Sequence, residues 1–202
     1  TVFVIILGLL FIAGCSKDDK NPPTSQVVEE YDRATMLTNY ADGYILPAYN
    51  EYVKNIDSLK TAINTFNSVL DINSLLNLRI KWENALLVWQ DVAFLEFGPA
   101  QNISFRSQTN IYPVDTNLVI NNIASGSYNL QLASNFDAKG LQALEYLING
   151  SGNTDNDIVN YFTATPNARI YLVDVINDIE TNTNYVYNEW VNTYRTNFIS
   201  NS

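Results

Sequence analysis

Apolar residues recur with the spacing of an α-helix along most of this chain, and no other feature constrains its fold as strongly. One such stripe consists of Leu75, Leu78, Trp82, Leu86, Trp89 and Ala93. Spacings of three and four residues place these side chains on one side of a helix, where they can be buried. Only 8 Gly and 6 Pro interrupt the 202 residues, which favours long helices. Because no strand-like alternation appears, the sequence predicts an all-α, up-and-down helical bundle.

The composition narrows the possible classes of function. The formal net charge is −10, and without a basic patch the chain is unsuited to bind nucleic acid. The chain contains no His, which excludes Ser-His-Asp and Cys-His catalytic arrangements and His-containing zinc sites within it. The sequence also lacks a Gly-rich loop of the kind that binds phosphate.

The first residues are typical of an export signal. Residues 2–13 are almost purely apolar, but this run is shorter than the roughly 20 residues that span a bilayer. The Ile12-Ala13-Gly14-Cys15 sequence that follows resembles a bacterial lipobox, which is cleaved before a Cys that then carries lipid. We interpret 1–14 as a lipoprotein signal peptide truncated at its N-terminus, with Cys15 as the lipidated residue. The alternative is an ordinary secretory signal that contains a Cys.

A polar tether follows the lipobox. Residues 15–27 combine the lipidated Cys with a charged, Pro-containing and non-periodic stretch, which is typical of an extended linker. The Ser16-Lys17-Asp18-Asp19 sequence resembles acidic signals that send lipoproteins to the cell surface, although a plain linker has a similar composition. We therefore expect anchoring to the bacterial outer membrane through the lipid, on the periplasmic or the surface side.

Residues 28–202 form the predicted helical domain, which we expect to be incomplete at its C-terminus. A first helix starts near Val28, with a kink or break at Pro47. Asp71 is the predicted N-cap of a second helix that ends at Phe97-Gly98-Pro99. A long connection, 100–116, precedes a short helix over about 117–124. The remaining prediction is a helix over 137–148, a polar turn over 149–157 and a long last helix from about residue 167.

The helix over 137–148 carries the most informative polar residues. Its apolar stripe consists of Leu141, Leu144 and Ile148, whereas Gln142 and Glu145 share a different face. The sequence Gly140-Leu-Gln-Ala-Leu-Glu145 is similar to the Gly-x-His-x-x-Glu signature of the imelysin-like family of bacterial exported proteins. Gly140 and Glu145 match this signature, and Gln142 stands where the family has His. Flanking similarities extend the resemblance from about Tyr40 to Phe198.

The resemblance implies that the chain is the first half of a two-bundle fold with a ligand pocket between the halves. It assigns Gly140, Gln142 and Glu145 to ligand binding and Glu145 to a metal. A His–Glu pair would suit iron or zinc, but Gln142 leaves an oxygen-only set. Such a set favours hard divalent cations and weakens the binding of iron or other transition metals. Alternatively, Gln142 and Glu145 form a buried hydrogen-bonded pair.

Three functions remain open at this point. The first is a lipid-anchored, imelysin-like binding protein of the envelope or cell surface, linked to the acquisition of iron or other metals, whose ligand is a metal ion or another small molecule. The second is a metallopeptidase of the imelysin type, against which the absence of His argues. The third is a structural surface lipoprotein that binds a protein partner through an exposed apolar patch.

Overall fold

A computed structural model describes residues 31–200. Its α-helices are α1 (Arg33–Tyr40), α2 (Leu46–Val69), α3 (Ile72–Val92), α4 (Pro99–Asn102), α5 (Phe105–Thr109), α6 (Thr116–Ser125), α7 (Gly140–Glu145), α8 (Asp155–Ala164), α9 (Pro166–Glu189) and α10 (Arg195–Ser200). A 3₁₀ segment (Ala133–Ala138) precedes α7, and π-helical turns (Ala41–Ile45, Tyr146–Gly150 and Trp190–Tyr194) follow α1, α7 and α9. Over the described range there is no strand, and the predicted all-α helical bundle is confirmed.

Helix α2 lies at the centre of the core, because it packs against both α3 and α9. Its buried side chains recur at helical spacing: Tyr49, Tyr52, Ile56, Leu59, Ala62, Ile63 and Phe66. The apolar stripe that spacing predicts for the first helix shares five residues with this row: Tyr52, Ile56, Leu59, Ile63 and Phe66. Its other members are less buried, since Tyr44 and Ala48 are half-buried and Tyr40 is 39% exposed.

The predicted irregularity at Pro47 is present as a change of helix type. The chain continues from α1 through the π turn Ala41–Ile45 into α2, and Pro47 occupies the first turn of α2. Because Pro47 has no N–H to donate, the series of helical hydrogen bonds is interrupted where the π turn passes into α2. The first long helix of the sequence prediction is therefore two α-helices joined by a π turn.

Both ends of α3 follow from local chemistry. The Asp71 side chain accepts a hydrogen bond from the Ser74 N–H at 2.7 Å, and the Ser74 hydroxyl contacts the Asp71 N–H in return, so the predicted N-cap is confirmed as a capping box. The helix ends at Val92, before the predicted Phe97-Gly98-Pro99 stop. Gly98 has a φ of +55°, and a side chain there would collide with the ring of Tyr194. Gly98 and Pro99 therefore start α4 instead of ending α3.

The connections contain more helix than the sequence prediction gave. The stretch 100–116, predicted as a loop, includes α4 and α5. The stretch 149–157, predicted as a polar turn, ends inside α8, where Thr154 and Asp157 form a second capping box. Because α4 and α5 have only four and five residues, their apolar periodicity is too brief to recognise, and α8 is marked mainly by its cap.

Cys15 and the segments predicted as signal peptide and tether lie outside the described residues. Within residues 31–200, no helix combines the length and the apolar character that crossing a membrane requires.

Candidate functional site

The signature residues lie on α7 and the π turn that follows it. Leu141, Leu144 and Ile148 are buried, which confirms the predicted apolar stripe of this helix. Gln142 and Glu145 are half-buried on the other face. The arrangement leaves one amide and one carboxylate accessible at the edge of the bundle.

Helix α3 holds the signature segment at both ends. Trp82 donates its Nε1–H to the Leu141 carbonyl at 2.8 Å, over the first turn of α7. Arg79 donates its Nε–H to the Ile148 carbonyl at 2.9 Å, where a helical segment ends with unpaired carbonyl groups. The Arg79 Nη1 also lies 2.7 Å from an oxygen of Asp155, at the start of α8. One helix therefore fixes the position of the signature and ties it to α8.

Gly140 is required by a close approach of two backbones. Its φ of +79° lies in the left-handed region that disfavours a side chain. A Cβ at this position would lie 2.8 Å from the carbonyl carbon of Thr109, at the end of α5. The Gly of the signature thus allows α7 to start directly against α5.

A buried ion pair lies beside the first residue of α7. The Lys139 ammonium is 2.9 Å from an oxygen of Asp178 on α9, and the two side chains are 0% and 3% exposed. Lys139 also donates to the Gln108 amide oxygen at 2.9 Å. The second oxygen of Asp178 accepts from Gln131, and Asn182 donates to the first at 3.3 Å. The pair is therefore hydrogen-bonded on several sides, which a buried charge pair needs in order to be tolerated.

The two signature polar residues do not pair with each other. Gln142 donates its amide N–H to the Asn110 side-chain oxygen at 2.9 Å. Within the described chain, the Glu145 carboxylate makes no hydrogen bond or ion pair. The alternative in which Gln142 and Glu145 form a buried hydrogen-bonded pair is therefore wrong.

Asn110 connects the signature to an open pocket of about 420 Å³. The lining residues are Trp89, Gln90, Ala93, Phe94, Arg106 and Asn110. Arg106 is held over it because its Nε–H donates to the Ala93 carbonyl at 3.1 Å, and the Arg106 N–H donates to the Glu96 carboxylate. Burial raises the pKa of Glu96, and the bond from Arg106 opposes this shift. The pocket thus combines aromatic surface, amides and a guanidinium, and its volume is in the range of small-ligand sites.

The donor set does not fit the bare iron or zinc ion that the resemblance implies. Zinc sites use at least three protein ligands. Among residues 31–200, no three side chains of His, Cys, Asp or Glu gather in a way that could hold an ion. Glu145 offers a single carboxylate, and Gln142, whose N–H is donated to Asn110, offers one neutral amide oxygen. Two carboxylates of α9 are engaged elsewhere, Asp174 with the Tyr128 hydroxyl and Asp178 with Lys139.

Sequence reasoning missed the residues that build this site. No pattern in the sequence indicates that Arg79 and Lys139 hold the signature helix in place. Nor does any pattern place Arg106 over a pocket. No local sequence pattern predicts a role for Asn110, because that role depends on a contact with a residue 32 positions away.

Comparison with known proteins identifies relatives of this fold. A family model described as imelysin, peptidase M75, matches residues 45–202. A solved structure from Parabacteroides distasonis, described as an iron-regulated protein A precursor, has 16% identity and a TM-score of 0.71, and the match covers 92% of this chain and 55% of that chain. An imelysin-like protein from Psychrobacter arcticum has 23% identity and a TM-score of 0.53, with coverage of 84% and 57%. No curated protein matches.

These similarities concern the fold, since both solved structures are less than 25% identical to this chain. The chain spans a little over half the length of each of them.

We predict that Gly140→Ala destabilises the protein by about 1–3 kcal/mol, because it adds left-handed strain to a clash with the Thr109 backbone. Urea unfolding measures the effect. Gly43→Ala is the matched control, because a Cβ at Gly43 would meet nothing within 4 Å. Equal unfolding midpoints for the two variants would contradict the close approach at Gly140.

We predict that Lys139→Met lowers the free energy of unfolding by about 3–5 kcal/mol, because it leaves the Asp178 carboxylate buried without a counter-charge. Lys54→Met is the control, since Lys54 and Glu51 form a pair whose side chains are 60% and 54% exposed. Such an exposed pair contributes about 0–1 kcal/mol. A double variant, Lys139→Met with Asp178→Leu, should recover most of the loss. A single variant as stable as the Lys54 control would show that the buried pair is not formed.

Proposed function

The chain belongs to the imelysin family, and from this premise we propose that it is the ligand-binding part of a lipid-anchored envelope protein. One observation carries the proposal: the signature residue Gln142 is hydrogen-bonded to Asn110, which lines the 420 Å³ pocket. Gln142, at the position where the resemblance places a metal ligand, is hydrogen-bonded to a residue that lines a cavity large enough for a small molecule. Binding is therefore the activity that this geometry favours.

The pocket is suited to a small organic anion. Arg106 has both terminal nitrogens unused by any other described residue, and a guanidinium binds carboxylates through paired hydrogen bonds. Gln90 and Asn110 add neutral amides, and Phe94, which is 54% exposed, adds an aromatic face. An anion with several oxygen atoms can use all of these groups.

Among such anions, an iron chelate best accounts for both the polar lining of this pocket and the similarity to the iron-regulated relative. That relative is described as iron-regulated, whereas the donor set around Glu145 does not fit a bare ion. Iron that arrives already coordinated by an organic acid needs hydrogen-bond donors from the protein and no direct protein ligands. We therefore assign to the pocket a polycarboxylate that carries ferric iron as cargo.

A metallopeptidase is disfavoured by the same residues. Metal-assisted hydrolysis needs a well-held ion with an open position and a general base. Glu145 is the one signature residue that could supply a charged ligand, and Gln142 cannot replace the imidazole nitrogen. A metallopeptidase would need a set of metal ligands that residues 31–200 do not provide.

A surface lipoprotein that binds a protein partner is the second candidate, and exposed apolar residues on α3 and just after its end favour it. Leu76, Ile80, Leu87 and Phe94 are 43%, 55%, 62% and 54% exposed. Their spacing fits an amphipathic helix as the partner. Glu83 and Asp91, exposed on the same helix, favour a helix with basic flanks. A chain that binds no ferric citrate would favour this alternative.

We predict that the full chain, kept in detergent because of its apolar first segment, binds ferric citrate in a calorimetric titration. Arg106→Gln should weaken this binding by about ten- to a hundredfold, the effect of losing one charge-assisted contact. Arg33→Gln, which removes an exposed charge on α1, should leave it unchanged.

Zinc chloride is the comparison ligand in the same titration. We expect weak zinc binding that hardly changes in Glu145→Ala, because one carboxylate adds little to zinc affinity without further protein ligands. Tight zinc binding that Glu145→Ala abolishes would contradict the proposal and restore a metal centre at the signature.

We predict a lipid-modified Cys15 as the first residue of the mature protein, detectable by mass spectrometry of protein from bacterial membranes. Cys15→Ser should move the protein from the membrane fraction to the soluble fraction, because a secreted chain without lipid has no stable anchor. An unmodified Cys15, or a mature N-terminus elsewhere, would contradict the lipid anchor.

A further inference from the structure

A second groove lies between the end of α2 and the start of α9. Its volume is about 410 Å³, and it is lined by Asn67, Pro166, Arg169, Ile170, Val173 and Asp174. It shares no lining residue with the pocket beside Gln142. Its size is that of a small-ligand site.

Five of the lining residues share one face of α9. Pro166, Arg169, Ile170, Val173 and Asp174 follow each other at spacings of three, one, three and one residues. From the opposite wall, Asn67 donates its amide N–H to the Arg169 carbonyl at 3.1 Å and fixes the first turn of α9. Ile170 is 55% exposed and Val173 lies beside it, so the middle of the groove is apolar.

Arg169 supplies an unused positive charge at one end. Two other partly buried arginines, Arg79 and Arg195, each bind a carboxylate, of Asp155 and Asp42 respectively. The Arg169 guanidinium makes no hydrogen bond or ion pair with any described residue. A partly buried guanidinium without a partner, in a chain with a net charge of −10, is suited to bind a carboxylate from a ligand.

Asp174 supplies a negative charge further along the groove. One of its oxygens accepts a hydrogen bond from the Tyr128 hydroxyl at 2.7 Å, and the other makes no hydrogen bond to the described chain. Arg169 and Asp174 are five residues apart, which is about 7.5 Å along a helix axis. The groove therefore has a positive group near the start of its α9 wall and a negative group more than one helical turn further along.

We propose that this groove binds a short apolar peptide with both ends free. The peptide carboxylate pairs with Arg169, its terminal ammonium pairs with Asp174, and its apolar side chains pack on Ile170 and Val173. This charge arrangement selects a zwitterion of dipeptide length over a single amino acid. The site is separate from the pocket beside Gln142 and does not depend on the ligand bound there.

Calorimetric titration of the full chain in detergent with leucyl-leucine tests this proposal. We expect binding with a Kd of about 1 mM or tighter. Two blocked peptides separate the charges: acetyl-leucyl-leucine lacks the ammonium, and leucyl-leucine amide lacks the carboxylate. Each should bind at least about tenfold more weakly, because each leaves one charged group of the groove unpaired.

Substitutions assign the two ends. Arg169→Gln should weaken leucyl-leucine binding by about tenfold or more and remove the difference between the free and the amidated peptide. Asp174→Asn should remove the difference between the free and the acetylated peptide. Arg33→Gln is the control for loss of an arginine charge outside the groove, and ferric citrate binding should be unchanged in all three variants.

Absence of leucyl-leucine binding would overturn the proposal. Blocked peptides that bind as tightly as the free one, or an Arg169→Gln variant that binds normally, would also overturn it. The three peptides are compared on the wild-type chain, so the test stands even where a variant fails to fold.

Discussion

The position of the signature helix depends on one buried ion pair, Lys139 with Asp178. The pair lies between the start of α7 and the middle of α9, and Gln108 brings α5 into the same network. A charged pair that is almost fully buried has a strict geometry, because any displacement leaves a charge without a partner. Gly140, next in the chain, then allows α7 to lie directly against the Thr109 backbone. Together these residues fix where Gln142 and Glu145 emerge.

The polar groups around Gln142 are suited to hydrogen bonding. Gln142 faces Asn110, Asn110 lines a pocket, and Arg106 lies over the same pocket. Each of these groups can recognise a polar ligand, whereas none can replace an imidazole as a ligand to iron or zinc. With the amide of Gln142 at the position where the resemblance expects a His, this arrangement underlies our proposal that the site binds a complete molecule and not a bare ion.

The sequence was sufficient for features that depend on neighbours within one helix. The buried stripe of Leu141, Leu144 and Ile148 follows from periodicity, and the Asp71 cap follows from local hydrogen bonding. It was insufficient where function depends on contacts between distant segments. Arg79 donates a hydrogen bond to a carbonyl 69 residues away. Asn110, in the stretch predicted as a loop, accepts a hydrogen bond from Gln142 on α7. Such contacts are set by how helices pack, which no local pattern records.

A crystal structure of the full-length protein with ferric citrate would test most directly whether the signature serves a ligand pocket. The account predicts the chelate between Phe94 and Asn110, with a citrate carboxylate on Arg106 and no direct bond from the metal to Glu145. Iron bound directly by the Glu145 carboxylate, with the pocket empty, would contradict it.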